Sequence, residues 1–317
     1  MNPRYALLPL LVTMGLLCGC QKQEQPVTGD RLRIVATLFP IYDFARTVGG
    51  SKVEVRLILP PGVEPHSFEP KPEDLVRISK ADIFIYTNRY MEPWAENILK
   101  GVAGKKLLVV GAGDGANYMS AGGEGGDDDH GAEKNEHHHG AGLDPHIWLD
   151  LDNARTIVDN IASALSRKDP VNREYYLANA SAYKTRLEEL DGRFRQGLAN
   201  CQSREFLHGG HYAFGYLARR YNLHYLSAYG MSANAEPPPR KLVEIIAEMK
   251  KSGLNHIFYE ELLAPRVATT IARESGATLL KLHGLHNISR EDMDRGATFI
   301  SLMEQNLANL RTGLKCR

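Results

Sequence analysis

The sequence predicts an α/β protein of two lobes, each a roughly four-stranded parallel sheet with flanking helices, joined by one long bridging helix. Three observations predict it. From Leu32 onward, short apolar runs alternate with helix-like runs, the pattern of parallel strands joined by helical crossovers. A charged stretch with a single narrow apolar stripe follows, with no strand inside it. The alternation then resumes and continues to the end of the chain.

In the first half the strand-like runs are residues 32–38, 53–59, 83–87 and 107–110, with helix-like runs near 41–48, 73–81 and 92–102. After Trp148, Asp152 reads as an N-cap, and Ala154, Ile157, Val158, Ile161, Ala162 and Leu165 share one helix face. Asp169-Pro170 opens the long segment. Tyr176, Ala180, Tyr183, Leu187, Leu190, Phe194 and Leu198 recur at spacings of four and three, on a helix of about 27 residues and roughly 40 Å. It reads as a bridge laid across two lobes. A dimerising coiled coil is the alternative, but the seam is short for one. The second half has strand-like runs at 205–207, 224–228, 256–259 and 278–282, and helix-like runs at 212–220, 241–250, 266–275 and 294–311. The expected boundaries are therefore 32–168 for the first lobe, 169–200 for the bridging helix and 201–317 for the second lobe.

Composition narrows the function. The 317 residues carry 38 basic and 38 acidic side chains, which argues against a nucleic-acid binder. Residues 1–20 read MNPRYALLPLLVTMGLLCGC: a positive start at Arg4, a short apolar stretch, then small residues, which is a secretory signal peptide over 1–19. No second apolar run of membrane-spanning length follows. Leu17-Cys18-Gly19-Cys20 resembles a bacterial lipoprotein box, so Cys20 is the expected lipid anchor and 20–31 a tether to the membrane. The chain is thus expected to be exported, on the periplasmic or outer-surface side. There Cys201 and Cys316 are expected to form a disulfide. Residues 111–142, GAGDGANYMSAGGEGGDDDHGAEKNEHHHGAG, hold little to bury and read as a disordered surface loop.

Histidine is the uneven entry in the composition, with 12 residues, and four of them share one context. His66 follows the second strand through Pro60-Pro61-Gly62-Val63-Glu64-Pro65. His146 lies in Leu143-Asp144-Pro145-His146-Ile147-Trp148. His211 follows the fifth strand through Gly209-Gly210, and His283 closes the eighth. Ligands of open α/β sheets bind outside the carboxyl ends of the strands, where loops of both lobes can converge. Neutral imidazoles held on separate rigid elements suit Zn²⁺. His208, His224 and His256 read as ordinary turn and strand residues satisfied by hydrogen bonds.

These segments resemble the zinc/manganese type of ABC-transporter solute-binding lipoproteins. The resemblance runs from about Leu32 to Leu314 through PPGVEPHSFEPKPEDL, LDPHIWLD, HYAFGYLARRYNL, EPPPRKLVEII and IFYEELLAPRVATTIARESGA. It implies two α/β lobes, one bridging helix and a single metal between the lobes, held by His66, His146 and His211. Manganese members tend to place a carboxylate at the third position, so His211 favours Zn²⁺ over Mn²⁺. At the fourth position, where the family often has aspartate or water, this chain has His283-Gly284-Leu285-His286. His283 is the expected ligand by position and His286 the runner-up, with Glu64, Glu260 and Glu261 as further candidates. Zinc members also often carry an acidic, histidine-rich loop. Asp127, Asp128, Asp129, His130, His137, His138 and His139 look like one, an auxiliary capture site for metal. The resemblance further implies an ABC permease as partner and a monomeric receptor that is not an enzyme. The competing readings are an exported zinc hydrolase, against which no HExxH or GxSxG stands in the chain, and an adhesin or manganese-binding member of the same fold.

Overall fold

The computed structural model describes residues 31–102, 106–120, 142–231, 237–262 and 265–317. The expected leader, Cys20 and the 127–139 cluster lie outside the described residues. Strands β1 (Leu32–Ala36), β2 (Val53–Leu57), β3 (Ile83–Tyr86) and β4 (Leu108–Gly111) form one parallel sheet in the order β2-β1-β3-β4. Strands β5 (Glu205–His208), β6 (His224–Ser227), β7 (His256–Glu260) and β8 (Thr278–Leu282) form a second, in the order β6-β5-β7-β8. Counted from each lobe's own first strand, the two orders are the same. The strand order reverses between the first and third strands of each sheet, and the carboxyl ends there are where such folds bind ligands.

Burial explains which runs became strands. β1 and β3 are central and covered on both faces, so Ile34, Val35, Ala36, Ile83, Phe84 and Ile85 are all buried. β2 is an edge strand and alternates instead, with Val53 buried and Glu54 and Arg56 exposed. Helices α1 (Phe39–Gly49), α2 (Pro72–Lys80) and α3 (Ala95–Val102) cross over in the first lobe. In the second the crossovers are α6 (Gly215–Arg220), α7 (Pro239–Ser252) and α8 (Arg266–Ser275).

Between the sheets lie α4 (Leu151–Lys168) and the bridging helix α5 (Arg173–Gly197). The 25 residues of α5 span about 37 Å. Its stripe Tyr176, Ala180, Tyr183, Leu187, Leu190 and Phe194 is buried, as the periodicity requires. The stripe joins one continuous apolar core that runs through both lobes, from Ile34 and Phe39 through Trp148 to Phe206, Phe258 and Leu282. Smaller clusters cover the outer faces of the two sheets. Lobes that share a core are restricted to small relative movements.

The structure departs from expectation in three places. The cap of α4 is Asp150, not Asp152: its carboxylate accepts from the N–H groups of Asp152 (2.8 Å) and Asn153 (3.4 Å). Residues 111–120, expected to belong to a disordered loop, are tied down. Ala112 N donates to Tyr86 O (2.8 Å), Met119 N to the Tyr216 hydroxyl (2.9 Å), and Ser120 pairs with Leu143. The helix expected from Asp294 starts only at α10 (Phe299–Gly313), because Gly296 turns the chain at φ +71° after a separate short helix, α9 (Arg290–Asp294). Cys201 and Cys316, 115 residues apart, are joined in a disulfide as expected.

Candidate metal site

Each histidine of the site is delivered by a locally determined turn. After β2, Val63 N donates to Pro60 O (3.1 Å), and Gly62 at φ +83° takes the one position of that turn that an L side chain resists. The chain then enters the short helical turn Pro65–Ser67, where Glu64 Oε1 accepts from His66 N (3.1 Å). In the second segment Asp144 Oδ1 accepts from His146 N (3.0 Å) and lies 2.8 Å from His146 Nδ1. Asn88 Nδ2 fixes the intervening proline by donating to Pro145 O (3.1 Å).

In the second lobe Glu260 ends β7 beside the end of β5. Its Oε1 accepts from His211 N (2.6 Å), and its Oε2 lies 2.6 Å from His211 Nδ1. Gly210 makes this possible. A Cβ there would come within 2.0 Å of Glu260 Oε1, so the carboxylate could not reach the ring.

Three rings converge. His66 Nε2 and His211 Nε2 each lie 3.2 Å from His146 Nε2, and one nitrogen from each ring falls within 4.8 Å of the others. Among the described residues this is the one group of three or more His, Cys, Asp or Glu able to share an ion. The carboxylates of Asp144 and Glu260 assign the proton of His146 and of His211 to Nδ1, so both Nε2 lone pairs point inward. Two such lone pairs 3.2 Å apart repel unless a positive centre lies between them. Donors bonded tetrahedrally at ~2.0–2.1 Å sit about 3.3–3.4 Å apart, which this spacing nearly matches.

Electrostatics follows burial. Burial, then the neighbouring His146 and His211, pushes the His66 pKa down to about 2. Burial also lowers His146 against the pull of Asp144, and burial with the three neighbouring rings takes His286 well below its ordinary value. At His211 burial opposes the charge, but Glu260, Glu64 and Glu261 outweigh it and the net shift is upward. His66, His146 and His286 are therefore held as neutral imidazole, the form that binds metal, while His211 keeps its proton more readily and releases it on binding.

The group includes neither His283 nor His286, the two candidates expected for a fourth ligand. His283 does not face the cluster. Its ring lies 3.8 Å from Glu261 Oε1, and its backbone N–H and carbonyl are both bound by Asn306 at 2.8 Å. Leu285 stands at φ +61°, which reverses the chain and carries His286 inward. The His286 ring centre lies 5.6 Å from that of His211, 6.3 Å from His66 and 6.4 Å from His146, and both its buried nitrogens lack hydrogen-bond partners. Glu64, Glu260 and Glu261 bind backbone groups beside the rings rather than standing among them. Asp144 was missed as a partner of His146, although its place two residues before the histidine was a readable signal.

A family model described as zinc-uptake complex component A, periplasmic (ZnuA), matches residues 34–313. The chain belongs to the ZnuA family. It is 36% identical to the high-affinity zinc uptake system protein ZnuA of Bacillus subtilis, over 90% of this chain and 88% of that one. It is 35% identical to the zinc-binding lipoprotein AdcA of Streptococcus pneumoniae over 93% of its own length, but spans only 58% of AdcA. In structure it resembles the Zn(II)-bound ZnuA-like domain of S. pneumoniae AdcA, with a TM-score of 0.75 and 31% identity over 90% of this chain and 99% of that domain. The family and these relatives are metal-binding transport proteins, and the resemblance carried by the sequence motifs is borne out.

Proposed function

We propose that this chain captures Zn²⁺ outside the cytoplasmic membrane with His66, His146, His211 and His286, and delivers it to an ABC permease. The observation that carries this reading is the inward convergence of Nε2 lone pairs whose Nδ1 protons are held by Asp144 and Glu260. Imidazole donors suit zinc better than manganese, which prefers oxygen ligands. Four neutral rings leave the ion's charge unbalanced, and the buried carboxylates of Asp144 and Glu260 behind them offset it. A shell of four imidazoles also leaves no open position for a hydrolytic water, which disfavours the enzyme reading.

The wider assignment extends the same proposal. The chain acts as a monomer tethered to a membrane through lipidated Cys20, and the histidines and aspartates of 127–139 are an auxiliary capture site for metal. The test is native mass spectrometry of protein purified without added metal, with chelator-competition titrations. One tightly held zinc per chain is expected. It is lost in His211→Ala, weakened in His286→Ala and retained in His283→Ala. Wild-type protein that takes up no zinc would overturn the reading. Delivery is tested by zinc uptake into vesicles bearing the permease, with and without the loaded protein.

A further inference from the structure

The loop that carries His286 leaves the second lobe at β8, where Gly284 N still donates to Glu261 Oε2 (3.2 Å), yet its other outward hydrogen bonds run to the first lobe. Trp148 Nε1 donates to Gly284 O (2.9 Å), Phe39 N to His286 O (3.3 Å) and Gly62 N to Ile288 O (2.9 Å). Asn287 is fully buried and uses its whole amide group. Its Nδ2 donates to Pro60 O (2.8 Å) and to Val63 O (2.7 Å), while its Oδ1 accepts from Ile288 N (2.8 Å). Pro60 and Val63 are the two ends of the turn that delivers His66. One side chain therefore grips that turn at both ends, and it sits directly beside His286. Leu285, in the left-handed region at φ +61°, needs its surroundings to hold it there.

We propose that Asn287 is a latch, a positioning residue that fastens the His286 loop onto the His66 turn. The inference rests on the reading of the four imidazoles as a zinc site. Its consequence is a division of the ligands that chain connectivity does not suggest. By sequence, the lobes contribute two histidines each. By attachment, His66, His146 and His286 ride together on the first lobe, and His211 alone is carried by the second, on Glu260. Metal release then needs the second lobe to withdraw one imidazole, not two.

The side chain is demanding. Aspartate at 287 would turn a carboxylate toward two carbonyl oxygens, and alanine would leave both carbonyls and the Ile288 N–H without this partner. Asn287→Ala and Asn287→Asp are expected to bind zinc about 10–100-fold more weakly, the scale of lost support behind a ligand. With Co²⁺ in place of zinc, the visible absorption of both variants should lose tetrahedral intensity as His286 leaves the ion. A variant that melts at lower temperature but keeps wild-type zinc affinity and the wild-type Co²⁺ spectrum would make Asn287 merely structural and overturn the proposal. A second measurement needs no variant. In wild-type protein stripped of metal, the Gly62 amide should remain protected from hydrogen exchange, because the latch does not depend on the ion. Rapid exchange of Gly62 in the stripped protein would overturn the latch while leaving zinc capture intact. Absence of zinc uptake by wild-type protein, seen in the same titrations, would instead sink the site.

Discussion

The two lobes share one strand order but hold their histidines differently. His211 is fully buried, and a single carboxylate, Glu260, holds both its backbone N–H and its ring. His66 is only half-buried, and among the described residues no carboxylate is bonded to its ring; Glu64 reaches its backbone alone. The first lobe spreads its support over a proline-rich turn, the carboxylate of Asp144 and the amide of Asn88, while the second concentrates it at one strand end. Identical topology thus sets where a ligand can stand, and buried carboxylates set how firmly it stands there.

This contrast breaks first at His211. Removing its ring takes away the best-fixed of the proposed ligands and leaves Glu260 a buried carboxylate without its ring partner. His211→Ala should therefore lose more zinc affinity than the roughly 10–100-fold expected of Glu260→Gln or Asp144→Asn. It should also lose more than His66→Ala. Chelator-competition titrations decide the order, and a larger loss in His66→Ala would invert the comparison.

Away from the site, the second lobe is fastened to the α4–α5 pair through Arg220. Its nearly buried guanidinium meets Asp191 at 2.7 Å, Asp152 at 2.8 Å and Asp150 at 2.9 Å. Arg220→Met should cost about 3 kcal/mol of stability, because it strands buried carboxylates, with little change in zinc affinity. Burial pushes the Asp191 carboxyl up, but Arg220, Tyr221 and Arg195 hold it down at about 2. A carboxylate depressed on folding contributes stability that is complete above its unfolded value near 4 and is lost as pH falls toward about 2. Melting curves of wild type should therefore drop more steeply between pH 5 and 2.5 than those of Arg220→Met (approximate bounds set by those values). Parallel curves would remove Asp191 as the cause.

The second lobe also carries the disulfide, which closes a 115-residue separation between the end of the chain and the start of β5. Cys201→Ser with Cys316→Ser should lower stability by about 2–4 kcal/mol. Zinc affinity should stay near wild type, since neither sulfur belongs to the site. A large affinity loss in the double variant would mean that the disulfide positions ligands as well as constraining the unfolded chain.

Much of this was legible in the sequence, for identifiable reasons. Parallel strands covered on both faces write themselves as apolar runs, and the α5 stripe has no other period to follow. His66, His146 and His211 announce themselves by standing after strands in rigid proline- and glycine-rich segments. The proposed choice of His286 over His283 was not legible, because it turns on a leucine at positive φ, a conformation that its own side chain disfavours. Nor could local sequence reveal Arg220 among Asp150, Asp152 and Asp191, whose proximity exists only once α6 packs on the bridge. Asp152 was the natural cap on composition, but the structure uses Asp150 for that and commits Asp152 to Arg155 and Arg220.

The smallest expected effect sharpens the comparison most finely. Trp148 belongs to the first lobe, two residues after His146, and its indole N–H donates to Gly284 O on the strand of chain that leads to His286. Trp148→Phe keeps most of the buried aromatic surface and deletes that single hydrogen bond. Stability should fall by about 1–2 kcal/mol, from one unsatisfied carbonyl and a small void. If His286 is carried by the first lobe, zinc affinity should fall only a few-fold, since four other hydrogen bonds from Phe39, Gly62 and Asn287 still hold the loop. If the second lobe holds His286 instead, deleting a contact to the first lobe should leave zinc affinity untouched. Titrating Trp148→Phe beside Asn287→Ala therefore ranks the fastenings of one loop, and an undiminished affinity in both would return His286 to the lobe from which its strand emerges.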